Sequence, residues 1–243
     1  MADKIRLNSY IAKCGICSRR EADTIISDGR VSVNGKTVSE LGVKVDPKRD
    51  RVSVDEKQIS LPGGNSYYIL NKPREVVTTI KDPQGRRTVN YYIRQTGKRL
   101  YPVGRLDYYS EGLLILTDDG ELAHRIQHPR YRIEKEYLVE IDSPLSASEL
   151  AEAQRGVKLD DGFIKPVSFN VEEGRGETAV YRIVISEGRK RILRRVFEYF
   201  QRKVRRLARV SVAGINLGDL EPGTFRELTQ EEIGKLKKIT NLA

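Results

Sequence analysis

The sequence predicts an α+β chain of two unlike parts. A small helix-pair-plus-sheet domain spans 4–60, a linker spans 61–66, and a mixed, mainly antiparallel-sheet domain spans 67–240. Three observations predict this. Apolar residues recur at helical spacing as far as Gly29 and at a spacing of two from Val31 onward. Leu61-Pro62-Gly63-Gly64-Asn65 then interrupts both patterns with turn-forming residues. Beyond it, strand patterns outnumber helical ones and follow each other across short turns, which favours antiparallel pairing.

In the first part, Leu7, Ile11 and Cys14 share one helical face that ends at Gly15. Ser18 caps a second helix, with Glu21 three residues on as its capping-box partner. Ala22, Ile25 and Ile26 form the apolar face, and Gly29 stops it. Val31 and Val33 lead into Asn34-Gly35, the pair suited to a two-residue hairpin, and Val38, Val43, Val45, Val52 and Val54 continue as short strands. Arg6, Lys13, Arg19, Arg20, Arg30 and Lys36 are left to face solvent or phosphate.

The second part opens with a strand over Tyr67 to Leu70, then one over Val76 to Ile80 and a polar loop through Arg87. Strands are predicted at Leu100 to Val103, Gly112 to Thr117, Tyr137 to Ile141, Ala179 to Ile185 and Val204 to Val212. Helices are predicted at Leu122 to Gln127, Ala147 to Arg155 and Arg189 to Phe200, with a last one capped by Thr229 and Glu232.

The formal charge of +10 points to a polyanionic partner, because bound lysines and arginines release the counterions condensed on phosphates. Between Ser186 and Arg209 stand ten lysines and arginines against two glutamates, which concentrates the charge. A solvated helix face is the alternative for such a run. No apolar run is long enough to span a membrane, and the start of the chain lacks the apolar segment of a secretory signal; a cytoplasmic protein is expected. Cys14-x-x-Cys17 and His124-x-x-x-His128 suggest a zinc finger, but more than a hundred residues part the pairs where a finger has about a dozen. No metal is expected. Cys14 is expected in the helix core and Cys17 in a turn.

The most informative stretch is Gly104 to Gly120, GRLDYYSEGLLILTDDG, in which a turn carries Asp107 between two strands. Such a turn presents a side chain at a sheet edge, where loop residues carry function. A carboxylate becomes a useful nucleophile only when held against a fixed cation and out of water; otherwise an Asp in a turn is a cap or turn former.

SRREADTIISDGRVSVNGKTV resembles the alpha-L RNA-binding module named after the small-subunit ribosomal protein S-four, which implies a structured-RNA partner for the first part. LNKPREVVTT, GRLDYYSEGLLILTDDG, EKEYLVEI and EGRKRILRRVF resemble, in order, the motifs of the pseudouridine synthase family, in its branch acting on bacterial ribosomal RNA. The likeness runs from Tyr67 to Phe225. It implies that Asp107 is the essential carboxylate, that Tyr137 stacks on the target uracil, that Arg194 pairs with the carboxylate, and that Leu193 or Ile192 forms an apolar wall. Lys72, Arg105, Arg189, Lys190, Arg191 and Arg195 are the remaining residues expected against RNA. Tyr137 could equally be strand core, and Arg194 a phosphate contact. The sequence departs from the family pattern at Ile192, Val196 and Glu75, where relatives commonly carry Gln, Met and Gly.

The reaction implied breaks the bond from sugar to base nitrogen, turns the uracil and rejoins it through carbon, with no redox step; no cofactor is expected. The target base must be flipped out of folded RNA, and a salt bridge to Arg194 is expected to keep Asp107 ionised in a dry pocket. Large-subunit ribosomal RNA, or its assembly intermediate, is the expected substrate, with small-subunit RNA the alternative, and a monomer is the expected state. A non-catalytic ribosomal RNA-binding or assembly factor is the rival. An RNA methyltransferase would need a glycine-rich nucleotide loop, and neither Gly85 nor Gly174 to Gly176 has the spacing.

Overall fold

The computed structural model describes residues 4–175 and 178–242. The chain divides into two compact units, Met1–Asn65 and Ser66–Ala243.

In the first unit, β1 (Ile5–Arg6) runs into α1 (Leu7–Lys13), and α2 (Arg19–Ser27) follows. Five short strands come next: β2 (Val31–Val33), β3 (Lys36–Thr37), β4 (Lys44–Val45), β5 (Val52–Val54) and β6 (Lys57–Ile59). They form an antiparallel sheet in the order β3-β2-β5-β6, with β1 and β4 as a separate pair. Ser18 and Glu21 close the capping box at the start of α2 as their spacing predicts. Asn34 and Gly35 adopt φ of 52° and 79°, the left-handed pair that a tight hairpin requires. Leu7 and Ile11 of α1, Ala22 and Ile26 of α2, and Val31 and Val52 of the sheet bury one another. Cys14 is half-buried against this core, which pushes its thiol up to about 11 and leaves it protonated.

The second unit contains β7 (Tyr67–Lys72), α3 (Asn90–Gln95), β8 (Tyr101–Pro102), β9 (Glu111–Thr117), α4 (Gly120–Gln127), β10 (Lys135–Ile141) and α5 (Ala147–Arg155). It continues with β11 (Val157–Leu159), β12 (Gly162–Ile164), β13 (Ser168–Arg175), β14 (Thr178–Ile185), α6 (Ile192–Tyr199), β15 (Val204–Val212), β16 (Ile215–Asn216), β17 (Phe225–Glu227) and α7 (Gln230–Ile239). The main sheet runs β13-β14-β10-β15-β9-β7-β17, with β8 beside β9 and β16 beside β15. Every pairing is antiparallel except β9 with β15, which is parallel at Ala208 with Glu111 and Arg209 with Gly112.

Helices cover both faces of this sheet, which explains why β7 and β9 read as continuous apolar runs. On β9, Leu114 and Leu116 join a core with α3, α5 and α6, whereas Leu113 and Ile115 join another with Leu122 and Ile126 of α4 and Leu236 of α7. The parallel seam between β9 and β15 is unusually close. A Cβ on Gly112, whose φ is 101°, would lie 2.2 Å from the Arg209 carbonyl oxygen, so only glycine fits there.

Two expectations require correction. Residues 76–80 are not a strand: they make one isolated bridge, Val77 with Thr88, although the run Val-Val-Thr-Thr-Ile has high strand propensity. Tertiary contacts override it, since Val76 is buried in the core and Thr78 spends its hydroxyl on Leu106. The arginine-rich helix begins at Ile192, not Arg189, because Arg191 lies in the left-handed region (φ 51°) and breaks the helical path before it. The pattern also gave no warning of α3 or of the β11–β12 hairpin.

Candidate functional site

Asp107 sits in the turn between β8 and β9, and two distant segments fasten that turn. The Thr78 hydroxyl donates to the Leu106 carbonyl at 2.7 Å and accepts from its N–H at 3.2 Å. The Glu75 N–H donates to the Tyr108 carbonyl at 2.7 Å. Lys72, wholly buried at the end of β7, donates its ammonium to the carbonyls of Ser110 and Pro73, each at 2.8 Å. From α6, Arg194 donates to the Tyr109 carbonyl at 3.2 Å and to that of Val204 at 3.4 Å. Within the turn the Ser110 N–H closes on the Asp107 carbonyl at 3.0 Å.

The turn forms one wall of a cavity of about 430 Å³. Tyr137 of β10 lines it from the sheet, buried on its core side, and Ile192, Leu193 and Arg194 line it from α6. Asp107, Tyr137 and Arg194, far apart in sequence, therefore share one cavity, as do both candidates for the apolar wall. Arg105, Arg189, Lys190 and Arg191 also reach it. The volume is ordinary for a pocket that takes a small ligand group.

The electrostatics differ from expectation. Asp107 is exposed at the cavity wall rather than enclosed in a dry pocket. No ion pair within 4.0 Å joins it to Arg194, whose guanidinium is occupied by the two carbonyls. The two groups interact through space: burial and Arg191 pull Arg194 below its ordinary value, and Asp107 opposes that shift.

Several cations expected against RNA have other partners. Lys72 faces carbonyls inside the protein, where no phosphate reaches it; burial brings it down to about 8, against the opposing pull of Glu111 and Asp107. Arg195 pairs with Asp161 at 2.8 Å and lies off the cavity, while Arg189 pairs with Glu187 and Asp161. Arg191 lies 3.3 Å from Glu198. Lys190 is exposed. In the first unit, Arg6, Lys13, Arg19, Arg20, Arg30 and Lys36 are all exposed, with Arg30 paired to Asp55 at 2.6 Å. Cys14 and Cys17 belong to the first unit and His124 and His128 to the second, where the two imidazoles meet edge to face.

The cavity also holds Lys135, His128 and Arg209, which the sequence did not assign to this site. Lys135 was legible, since it precedes Tyr137 by two on a strand and so faces the same way. Arg209, buried and donating to the Leu113 carbonyl at 2.8 Å, sits in an irregular stretch of β15 that alternation alone does not orient.

Among the described residues, no helix is long and apolar enough to cross a membrane. The S4 domain model matches residues 5–57, and the model described as RNA pseudouridylate synthase matches residues 66–199. An RNA pseudouridine synthase of Aquifex aeolicus, itself uncharacterised, is 43% identical over 98% of this chain and 96% of its own. Ribosomal large subunit pseudouridine synthase B of Bacillus subtilis is 37% identical over 97% of both chains. A crystal structure of a pseudouridylate synthase superposes with a TM-score of 0.65 at 31% identity, covering 96% of this chain and 99% of that one. A match to more than half the chain, with full-length relatives at this level of identity, places the protein in the RNA pseudouridylate synthase family, as an isomerase preceded by an S4 domain.

Proposed function

We propose that this protein converts one uridine of ribosomal RNA, in the large subunit or its assembly intermediate, to pseudouridine, acting as a cytoplasmic monomer. The observation that carries the reading is the meeting of Asp107, Tyr137 and Arg194 around one cavity. The large-subunit assignment is supported by the full-length likeness to the Bacillus subtilis enzyme.

The target nucleotide swings out of the RNA into the cavity, at a cost of a few kcal/mol in lost stacking that the Tyr137 ring partly offsets. Asp107 acts at the sugar as the bond from C1′ to N1 breaks, and the freed uracil turns so that C5 meets C1′. The proton on C5 is lost and N1 gains one. RNA entry covers the exposed carboxylate, and the loss of water strengthens its interaction with Arg194. Exposed cations of the S4 domain, Lys13, Arg19 and Arg20 among them, hold the surrounding RNA by its phosphates.

The test is release of tritium from carbon 5 of labelled uridine in ribosomal RNA transcripts and partly assembled subunits. Wild type should release label from large-subunit RNA. Asp107→Asn should release none while binding RNA within about threefold of wild type, because the carboxylate acts on the reacting atoms and not on the backbone. Binding without release by wild type would support the non-catalytic factor instead.

A further inference from the structure

Around the cavity, Arg189 pairs with two carboxylates, Arg191 with Glu198, and Arg194 and Arg209 donate to carbonyls, while Arg105 and Lys190 are exposed. Lys135 is half-buried in the cavity wall. It lies two residues before Tyr137 on β10, so the pleat turns both side chains to the same face, and both line the cavity with Asp107. Its ammonium donates to the Ile133 carbonyl at 2.8 Å, which leaves two of its three donors for whatever enters. Among the described residues, no carboxylate lies within ion-pair distance of it. The charge that bears on it most is the buried guanidinium of Arg209, of the same sign. Burial first, and Arg209 second, bring the amine down to about 8. A cation held largely out of water beside another cation is unfavourable unless the ligand supplies negative charge.

The isomerisation supplies that charge. When the C1′–N1 bond breaks, its electron pair leaves with the uracil, which becomes an anion with charge shared over N1, O2 and O4. Resting on the uridine-isomerase reading above, we propose that Lys135 is a catalytic residue: its ammonium lies against the carbonyl edge of the uracil that stacks on Tyr137 and stabilises the anion between cleavage at N1 and bond formation at C5. No proton passes through Lys135. The C5 proton leaves to solvent once C5 is bonded to C1′, and N1 takes one up, so the base ends neutral. The other charged or titratable groups facing this space are Asp107 and Arg105 on the turn, His128 after α4, Glu187, Arg189, Lys190 and Arg191 before α6, Arg194 on α6 and Arg209 on β15, with Tyr137 on β10 itself.

The test measures single-turnover tritium release with enzyme in excess over ribosomal RNA, across neutral and alkaline pH, for wild type, Lys135→Met and Lys135→Arg. RNA affinity and melting temperature are measured beside it. The wild-type rate should fall as pH rises past about 8, where the ammonium is lost. At neutral pH, Lys135→Met should be about a hundredfold slower with RNA affinity within about twofold, the effect of removing one donor that acts on the transition state. Lys135→Arg should keep most of the rate and carry the alkaline limb to higher pH, because a guanidinium stays charged. A Lys135→Met rate equal to wild type would overturn the proposal. So would a Lys135→Arg variant that melts and binds like wild type yet is as slow as Lys135→Met. If wild type itself releases no label, the isomerase reading fails, and the proposal with it.

Discussion

The Thr78 hydroxyl holds Leu106, the neighbour of Asp107, by both its backbone groups, donating to the carbonyl at 2.7 Å and accepting from the N–H at 3.2 Å. Thr78 is buried, so water cannot replace either bond. Thr78→Val keeps the shape and removes both. It should cost about 2 kcal/mol of stability, the penalty for stranding buried backbone groups, and slow single-turnover isomerisation at least about tenfold as the turn relaxes. Thr78→Ser should restore both, as urea unfolding and tritium release would show.

Glu75 occupies a left-handed position, φ 60°, with its side chain exposed and its N–H on the Tyr108 carbonyl. A left-handed position of this kind is one that glycine takes without the steric cost a Cβ brings. Glu75→Gly should stabilise the protein by about 1 kcal/mol, the steric relief exceeding the entropy that glycine adds to the unfolded chain. Denaturant midpoints of the two proteins decide it, and the Asp107 turn should keep its activity.

At the parallel seam, Gly112→Ala would drive a methyl group into the Arg209 backbone. The strands must separate, so a loss of about 3 kcal/mol or more is expected, together with loss of isomerase activity, since Asp107 and Tyr137 stand on opposite sides of that seam. A folded, fully active Gly112→Ala protein would contradict the close approach.

Lys72 makes stability depend on alkaline pH. Its amine is brought down to about 8 in the folded protein from an ordinary 10.5. Below about 8 both states carry the proton and the folded state bears the burial penalty. Between there and 10.5 the unfolded chain holds more protons, so stability should rise with pH, by about 3 kcal/mol in all. Lys72→Met should lack this rise, which denaturation curves at several pH values would reveal as a difference in slope from wild type.

For the S4 domain, replacing Arg19 and Arg20 together by alanine should weaken ribosomal RNA binding and lower the slope of log affinity against log salt by about 1 to 2, one counterion or nearly so per lost phosphate contact. Melting temperature should not change, since both side chains are exposed. An unchanged salt slope would remove these two residues from the RNA interface.

Much of the scaffold was legible because it is written locally. The capping boxes at Ser18 and Thr229, the Asn34-Gly35 hairpin and the limits of α5 each depend on residues a few positions apart. The order of the motifs likewise pointed to Asp107, Tyr137 and Arg194, and the fold brings all three to one cavity. The 76–80 segment failed because its strand propensity was outweighed by contacts with a turn some thirty positions away.

The sequence by itself determined the two-part organisation and the family, because periodicity, turn chemistry and motif order are properties of neighbouring residues. Tertiary structure alone decided which cations are available. Lys72 and Lys135 are both lysines at strand ends, yet one is sealed against backbone carbonyls while the other lines the cavity with donors to spare. A charge is set by residue type, but its partner and its exposure to water are set by segments distant in the chain, and in this protein those segments meet only when β9, β10 and β15 pair at the centre of the sheet.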